Sequence, residues 1–279
     1  MAAAVSHPSD EFGFVPHATV ASLRDLGNWK VRADAIQSLH KLVLDLPRGA
    51  PRVLPSLGEF AGFLNTLLAD PNFKISLTTL QIWDALLAKV GADLSPAIAA
   101  VVPTLVRRLG DGKSVVREAN MSSLAASFRA SPKETVDALF AAFRDAGSTP
   151  ASARVREDAL CAVVRCLLEP DAFPSPGVDP AALVSELVAA ASEDPKESEH
   201  PGAARVRATA VEALAVAHAA YGASQSWRLI DCASEFAGGR ECAPGLRRAL
   251  ERRFDDGSLP AVTREGLIEH AEGADEVLR

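Results

Sequence analysis

Aromatic side chains are scarce in this chain of 279 residues: they make up 5% of it, with Tyr occurring once and Trp three times. Hydrophobic residues still reach 48%, and Ala, Leu and Val dominate, the side chains of closely packed helices rather than of strands. Cysteine is scarce too. Cys161, Cys166, Cys232 and Cys242 form no CxxC pair and have no His in ligand register, which speaks against a zinc site or a disulfide framework and fits a reduced, intracellular compartment. Positive charge is in deficit, since 29 Lys and Arg against 36 Asp and Glu leave a net charge of -7. A generic nucleic-acid binder carries the opposite balance, although a local basic stripe stays compatible with it. The longest apolar runs are shorter than a bilayer span and are broken by Pro or charge. The opening "MAAAVSHPSDEFGF" lacks the charged start and apolar core of a signal peptide. A soluble protein without nucleic-acid or membrane partners is expected.

What the chain has in quantity is repetition. The stretch "LGDGKSVVREANMSSL" aligns with the earlier "LGNWKVRADAIQSL" so that Val116-Arg117 falls on Val31-Arg32 and Leu124 on Leu39. With that dipeptide as a ruler, Val31-Arg32 is followed by Ile75-Ser76, Val116-Arg117, Val155-Arg156 and Val206-Arg207, at steps of 44, 41, 39 and 51 residues. After each ruler apolar residues recur at helical spacing, as in Ala35, Ile36 and Leu39 or Ala210, Val211 and Leu214. Before each lies another apolar helix, such as "SPAIAAVVPTLVRRL", where Ser95 can cap the N-terminus ahead of Pro96 and Pro103 should bend the helix. Helix pairs at a period near 40 mark a HEAT-type solenoid, in which each pair buries its apolar face only by stacking on its neighbours.

The expectation is therefore an all-α, right-handed solenoid of about six antiparallel helix pairs. It forms one domain over residues 12–272, with flexible termini at 1–11 and 273–279. The segments "EPDAFPSPGVDP" and "EDPKESEHPGA" read as enlarged, mobile surface loops. The final stretch "RRFDDGSLPAVTREGLIEHA" fits the ruler poorly, as a terminal repeat often does.

In a solenoid the turns inside the pairs emerge on one edge. Here those turns read "GNWKVR", "PNFKIS", "DGKSVVR", "SARVR" and "AARVR", rich in Lys and Arg with only Asp111 to oppose them. Arg32, Arg117, Arg156 and Arg207 are read first as braces between repeats, since long basic side chains at helix starts combine packing with ion pairing; Asp111 stands six residues before Arg117. Lys30, Lys74, Arg154 and Arg205 lie two residues nearer the turn tips and are read as binding residues. Trp29 and Phe73 sit one repeat apart. Each is either an interface anchor or, for the first helix, a cap against the N-terminal segment. Trp83 and Trp227 fall within apolar helical patterns and are read as packing residues.

The stretches "NWKVRADAIQSL", "DPNFKISLTTLQIWDALL" and "DGKSVVREANMSSL", with their spacing, resemble the first three helix pairs of a TOG domain, the six-repeat HEAT module that binds αβ-tubulin. The likeness runs over nearly the whole chain. The segments "FGFVPHATVASLRDLGNWKVRADAIQSL" and "LPAVTREGLIEHA" look most like the first TOG domain of the ciliary TOG-array family. The resemblance implies that Trp29 takes the place of the first-turn tryptophan that sits against tubulin. It places Asn72, Phe73 and Lys74 in the second contact turn, Lys113 and Ser114 in the third, Arg154 in the fourth and Arg205 in the fifth. It further implies a non-catalytic module without cofactor or metal, in the cytoplasm and cytoskeleton and at the axoneme of a cilium or flagellum. Its partners would be αβ-tubulin or the microtubule lattice, with other axonemal proteins beside them. A lone module cannot tether several tubulins at high effective concentration, so polymerase activity is not expected of it.

The alternative is a HEAT-repeat scaffold that docks a non-tubulin protein by its other faces or by the loops near Phe173 and His200. Its mark would be binding that survives reversal of the turn cations. Catalysis has little support: His7, His17, His40, His200, His218 and His270 have no Ser, Cys or carboxylate partner at a telling spacing, and no GxxxxGK[ST] phosphate loop occurs. His218 reads as a satisfied helix residue.

Overall fold

The computed structural model describes residues 10–146, 150–171, 173–175, 177–192, 202–236 and 244–269. It divides into two compact units, residues 1–134 and 135–279, where the sequence suggested one domain over 12–272. The boundary falls in the first turn of a helix. Helices dominate both units, in six consecutive pairs among the described residues.

In the first unit the pairs are α1 (His17–Arg24) with α2 (Trp29–Leu44), α3 (Leu57–Leu68) with α4 (Phe73–Val90), and α5 (Ser95–Leu109) with α6 (Ser114–Ala130). The second helix of each pair packs on its counterpart in the next, α2 on α4 and α4 on α6, while α3 packs on α5. The residues read at helical spacing after each ruler do face the core: Ile36, Leu39, Leu80, Trp83 and Leu124 are all buried. Trp83, the largest of them, is fully buried, and its indole Nε1 donates to Ser127 Oγ on α6 at 3.1 Å. A buried indole N–H needs such a partner.

α4 and α5 run together as the stretch Phe73–Leu109, long and apolar enough by length and composition to cross a membrane. The stretch is not one helix, however. Gly91, at φ 62°, ends α4 and opens a 3-10 turn over Gly91–Leu94, and α4 itself is enclosed by α2 and α6.

Ser95 does not cap α5. The helix grows directly out of the 3-10 turn, so the Ser95 hydroxyl turns back to the Ala92 carbonyl at 2.7 Å and meets Ser131 Oγ at 2.7 Å. α5 continues through Pro103 to Leu109.

The described part of the N-terminus is held in place rather than free. Asp10–Glu11 (β1) pairs antiparallel with Val15–Pro16 (β2). Between them, Phe12 and Gly13 take positive φ, and a Cβ at Gly13 would lie 2.4 Å from the Arg52 carbonyl oxygen. The tight ribbon turns the rings of Phe12 and Phe14 onto Phe60 of α3, with centroids 5.3 and 5.2 Å apart. Glu11 meets His17 at 2.7 Å and Arg24 at 3.2 Å. These aromatic contacts and ion pairs dock the segment against the first two helix pairs. Residues 1–9 and 273–279 lie outside the described residues.

In the second unit α7 (Pro132–Asp145) and α8 (Pro150–Leu167) form the fourth pair, α9 (Pro180–Ser192) and α10 (Ala203–Tyr221) the fifth, and α11 (Ala223–Phe236) and α12 (Pro244–Asp256) the sixth. α10 is the hub, packed on α8, α9, α11 and α12. Its buried face is largely Ala, including Ala210, Ala213 and Ala217, and small side chains let neighbouring helices approach closely. Glu212 of α10 binds Arg253 of α12 through both carboxylate oxygens, at 2.9 and 3.0 Å from Nε and 2.7 Å from Nη2.

His218 contacts Ser226 Oγ through Nδ1 at 2.7 Å and stacks on Phe254 with centroids 3.9 Å apart. Trp227 packs edge-on to Phe254 under the Arg247 guanidinium.

The final pair ends at Asp256, where Gly257 takes φ 67°. The residues read as part of a terminal repeat instead fold as a second short ribbon, Ala261–Val262 (β3) against Ile268–Glu269 (β4). The enlarged loop after α8 is anchored in part: Phe173 packs on Tyr221, and Val178 is buried. The segment "EDPKESEHPGA" lies mostly outside the described residues, as do His7, His200, His270 and Cys242.

Asp84 of α4 is a half-buried acid of the first unit. Burial pushes the Asp84 carboxyl of α4 up from 3.8 to about 6, against the opposing pull of a Ser123 hydrogen bond and the Arg129 charge. The folded unit therefore holds this proton more tightly than the unfolded chain does. The stability it contributes is fully present below pH 3.8 and is lost as pH rises through about 6. Asp84→Asn should flatten that loss. Urea denaturation at a series of pH values from 3.5 to 8 should show the variant gaining on the parent as pH rises, and then a constant difference.

Candidate partner-binding turns

The turns of the first unit are built alike, by a device that sequence reasoning missed. Asp25 Oδ1 accepts the Gly27 N–H at 2.9 Å, Asp70 Oδ1 the Asn72 N–H at 2.8 Å, and Asp111 Oδ1 the Lys113 N–H at 3.0 Å. Each is an Asx turn, in which the side chain substitutes for a backbone acceptor two residues back. Asn28 then caps α2 by accepting the Val31 N–H at 3.3 Å, and Asn72 caps α4 by accepting the Lys74 N–H at 3.0 Å. The signal was in the sequence. Asp25, Asp70 and Asp111 recur at nearly the ruler's own steps.

Upon this frame Trp29 opens α2 with 54% of its surface exposed, between Leu26 at 76% and Val31 at 43%. Lys30 Nζ stands 5.9 Å from the centre of the Trp29 ring. In the second turn Phe73 is half-buried and Lys74 is exposed. Lys113 of the third turn lies over the Phe73 ring, its Nζ 4.4 Å from the centroid, so these two turns touch. Ser114 and Val115 are exposed beside it. Asn72 is a helix cap first, half-buried and committed to the Lys74 N–H. Lys30, Lys74 and Lys113 have no carboxylate within ion-pair distance among the described residues.

Behind the tips runs the bracing expected of the Val-Arg dipeptides. Arg32 is 5% exposed. Its Nε donates to the Leu23 carbonyl at 3.0 Å, and its Nη2 pairs with Asp70 Oδ2 of the next repeat. Where the second repeat has Ser76 in place of Arg, Arg108 of α5 takes over, donating to Ser76 Oγ and meeting Asp111 Oδ2 at 3.3 Å. Arg117 reaches Asp111 as its spacing suggested, donating to the main-chain carbonyl at 2.7 Å.

The second unit is wired differently. Arg156 is buried, its guanidinium 4.4 Å from the Phe143 ring centre. Arg207 is half-buried. Arg154 and Arg205 are exposed at their turns as expected, but neither is unopposed: Arg154 Nε lies 3.6 Å from Asp158 Oδ2, and Arg205 Nη1 lies 3.7 Å from Glu157 Oε2. The turn strings alone showed only Asp111 against the cations. These two acids follow the Val155-Arg156 dipeptide, and the helix brings Asp158 back to Arg154 across a single turn.

Helix pairs at a period near 40, stacked second helix on second helix and braced by Arg at the start of those helices, define a HEAT-repeat α-solenoid with its short turns carrying aromatic and basic side chains. Within that class the chain is similar to TOG domains. It is 25% identical over 272 residues, 97% of its length, to "TOG array regulator of axonemal microtubules protein 1" of Homo sapiens, and spans 15% of that protein. A solved crescerin TOG domain is likewise 25% identical and superposes with a TM-score of 0.69, covering 93% of this chain and 97% of that one. The work describing it states that crescerin uses a TOG domain array to regulate microtubules in the primary cilium. The third TOG domain of Mini spindles from Drosophila melanogaster shares the fold, with a TM-score of 0.64 at 18% identity over 91% of this chain and all of that one. No protein-family model matches the chain.

The Arg32–Asp70 pair gives a direct test of the bracing. Asp70→Asn strands a buried guanidinium and should cost about 3–5 kcal/mol in urea denaturation of the chain. Combining Arg32→Met with Asp70→Leu removes both charges and should recover the part of the loss that comes from the stranded one.

Proposed function

We propose that the chain is a non-catalytic module that binds αβ-tubulin, free or in the microtubule lattice, through the turns inside its helix pairs. We propose further that it regulates or stabilises ciliary, axonemal microtubules as part of the cytoskeleton. The observation that carries this reading is the construction of the first unit's turns. Three successive turns are fixed by Asx bonds and expose Trp29, Lys30, Lys74 and Lys113, with no carboxylate within ion-pair distance of those lysines among the described residues. An exposed indole with Lys30 beside it, and further exposed lysines at the next two turns, suits a partner that is acidic and offers an apolar recess. Tubulin is acidic, and the names of the similar proteins point to microtubules.

The roles divide by chemistry. Trp29 is the anchor, with Leu26 and Val31 widening the apolar contact around it. Lys30, Lys74 and Lys113 supply steering charge, and Ser114 a neutral hydroxyl beside them. Phe73 supports Lys113 from below. Asn72 acts on the partner only through the backbone that it caps. Arg154 and Arg205 extend the basic character to the second unit's turns. Because the chain spans 15% of the human relative, the tethering of several tubulins belongs to arrays of such modules and not to this one.

The deciding experiment is size-exclusion chromatography of the chain with soluble tubulin beside microtubule pelleting, each at two salt concentrations. Co-elution with the soluble dimer or co-pelleting with the lattice is expected. Trp29→Ala should weaken binding by about 2 kcal/mol or more, mainly through faster dissociation and with little change in salt dependence. Reversing Lys30, Lys74 and Lys113 to Glu should slow association and flatten the salt dependence. Both variants should keep the parent's helicity and melting temperature. A well-folded triple reversal that binds tubulin and microtubules like the parent at low salt would overturn the reading in favour of a scaffold for another protein.

A further inference from the structure

The two exposed arginines of the second unit stand in a different electrostatic state from the lysines of the first, because each faces a carboxylate. Arg205, in the first turn of α10, has 75% of its side chain exposed, yet its Nη1 lies 3.7 Å from Glu157 Oε2 of α8. Glu157 is half-buried, its side chain 23% exposed, so it is the more tightly held member of the pair. An acidic surface approaching the fifth turn must compete with Glu157 for the guanidinium. Arg154 is tied to Asp158, but Asp158 is buried and belongs to the core of its own helix. Glu157 can be changed from the surface.

We propose that Glu157 is a specificity-determining residue, a fixed acid that screens Arg205 and so holds the fifth turn below its full strength toward an acidic partner. This rests on the tubulin reading above and adds to it the residue that sets how much the fifth turn contributes. An exposed ion pair opens at small cost because water screens it, so the screening is graded and does not act as a lock. Its effect falls on encounter and on salt dependence, where solvent-exposed interfacial charge acts. Without Glu157, the fifth turn presents an unpaired guanidinium, whose planar fork of donors suits a carboxylate.

The test is a double-mutant cycle on the full chain against soluble αβ-tubulin, read by association kinetics at several salt concentrations. Glu157→Gln keeps the length and removes the charge. It should raise affinity about two- to fivefold, the range of an exposed pair, with faster association and a steeper salt dependence. Circular dichroism should show the parent's helicity. In an Arg205→Gln background the same change should gain much less, because no cation remains to be released. Glu157→Asp, which keeps the charge but shortens its reach, should gain part of the effect and serves if the first variant loses helicity. An equal gain in both backgrounds would overturn the proposal, since simple removal of a negative charge would then explain it. Unchanged binding by a folded Glu157→Gln chain, with the parent binding normally, would overturn it alone. A parent that binds no tubulin would overturn the functional reading and this inference together.

Discussion

One carboxylate, that of Asp70, joins the bracing of the first unit to the geometry of its turns. Oδ2 is paired with the buried guanidinium of Arg32, while Oδ1 receives the Asn72 N–H; Asn72 in turn caps the Lys74 N–H. Arg32 is also fixed to the Leu23 carbonyl in the first helix. A continuous chain of polar contacts thus runs from α1, through α2, into the second turn and the start of α4. Burying two opposite charges is costly unless geometry and further hydrogen bonds satisfy what the pair leaves over. Here the remaining bonds go to the backbone of the turns themselves, so the position of Lys74 depends on the repeat before it.

The same use of carboxylates explains how an acidic chain presents basic turns. Asp25, Asp70 and Asp111 all stand within a few residues of the exposed cations, and a count of charge along the sequence would cancel them. In the fold each aspartate spends an oxygen on a backbone N–H two residues on, and Asp70 and Asp111 give the other to Arg32 and Arg108. Their charge is turned toward the protein. The lysines, on longer side chains with no carboxylate within ion-pair distance among the described residues, are exposed. Net charge therefore says little about the field at a particular surface, which depends on where each charge is held.

The helix pairs were legible in the sequence because the ruler marks the buried start of every second helix, and burial at a fixed period leaves a periodic apolar signal. The Val-Arg braces were legible for the same reason. Other features depended on contacts that no local pattern records. The segment "EFGF" has no helical period, and its docking depends on Phe60 and Phe63, some fifty residues away. Ser95 had the composition of a cap, but the preceding 3-10 turn had already supplied the helix with its first residues. Glu157 and Asp158 were visible as acids. Only folding showed that one reaches across to α10 and the other back along α8. The final ribbon, where the ruler fits poorly, is set by two glycines at positive φ: Gly257 just after α12, and Gly266 between its two strands.

An exposed tryptophan raises the question of why the free protein tolerates it. Trp29 is the first residue of α2, where the helix start is fixed by Asn28, and Lys30 stands beside its ring. Its backbone is therefore already in the helical state, and a large planar side chain has only two torsions to order on binding. Leu26 and Val31, short and restricted, flank it on the same rigid segment. A surface prepared in this way gives up little conformational freedom when a partner covers it, so most of the apolar area it buries appears as affinity. The lysines are the opposite: long, mobile and hydrated, they lose more entropy if held and act best at a distance. The turns thus combine a rigid apolar contact, which governs how long a complex lasts, with flexible charges, which govern how quickly it forms. Both properties depend on the Asx-fixed backbone beneath them, because steering is useful only where the anchor it delivers is already in position.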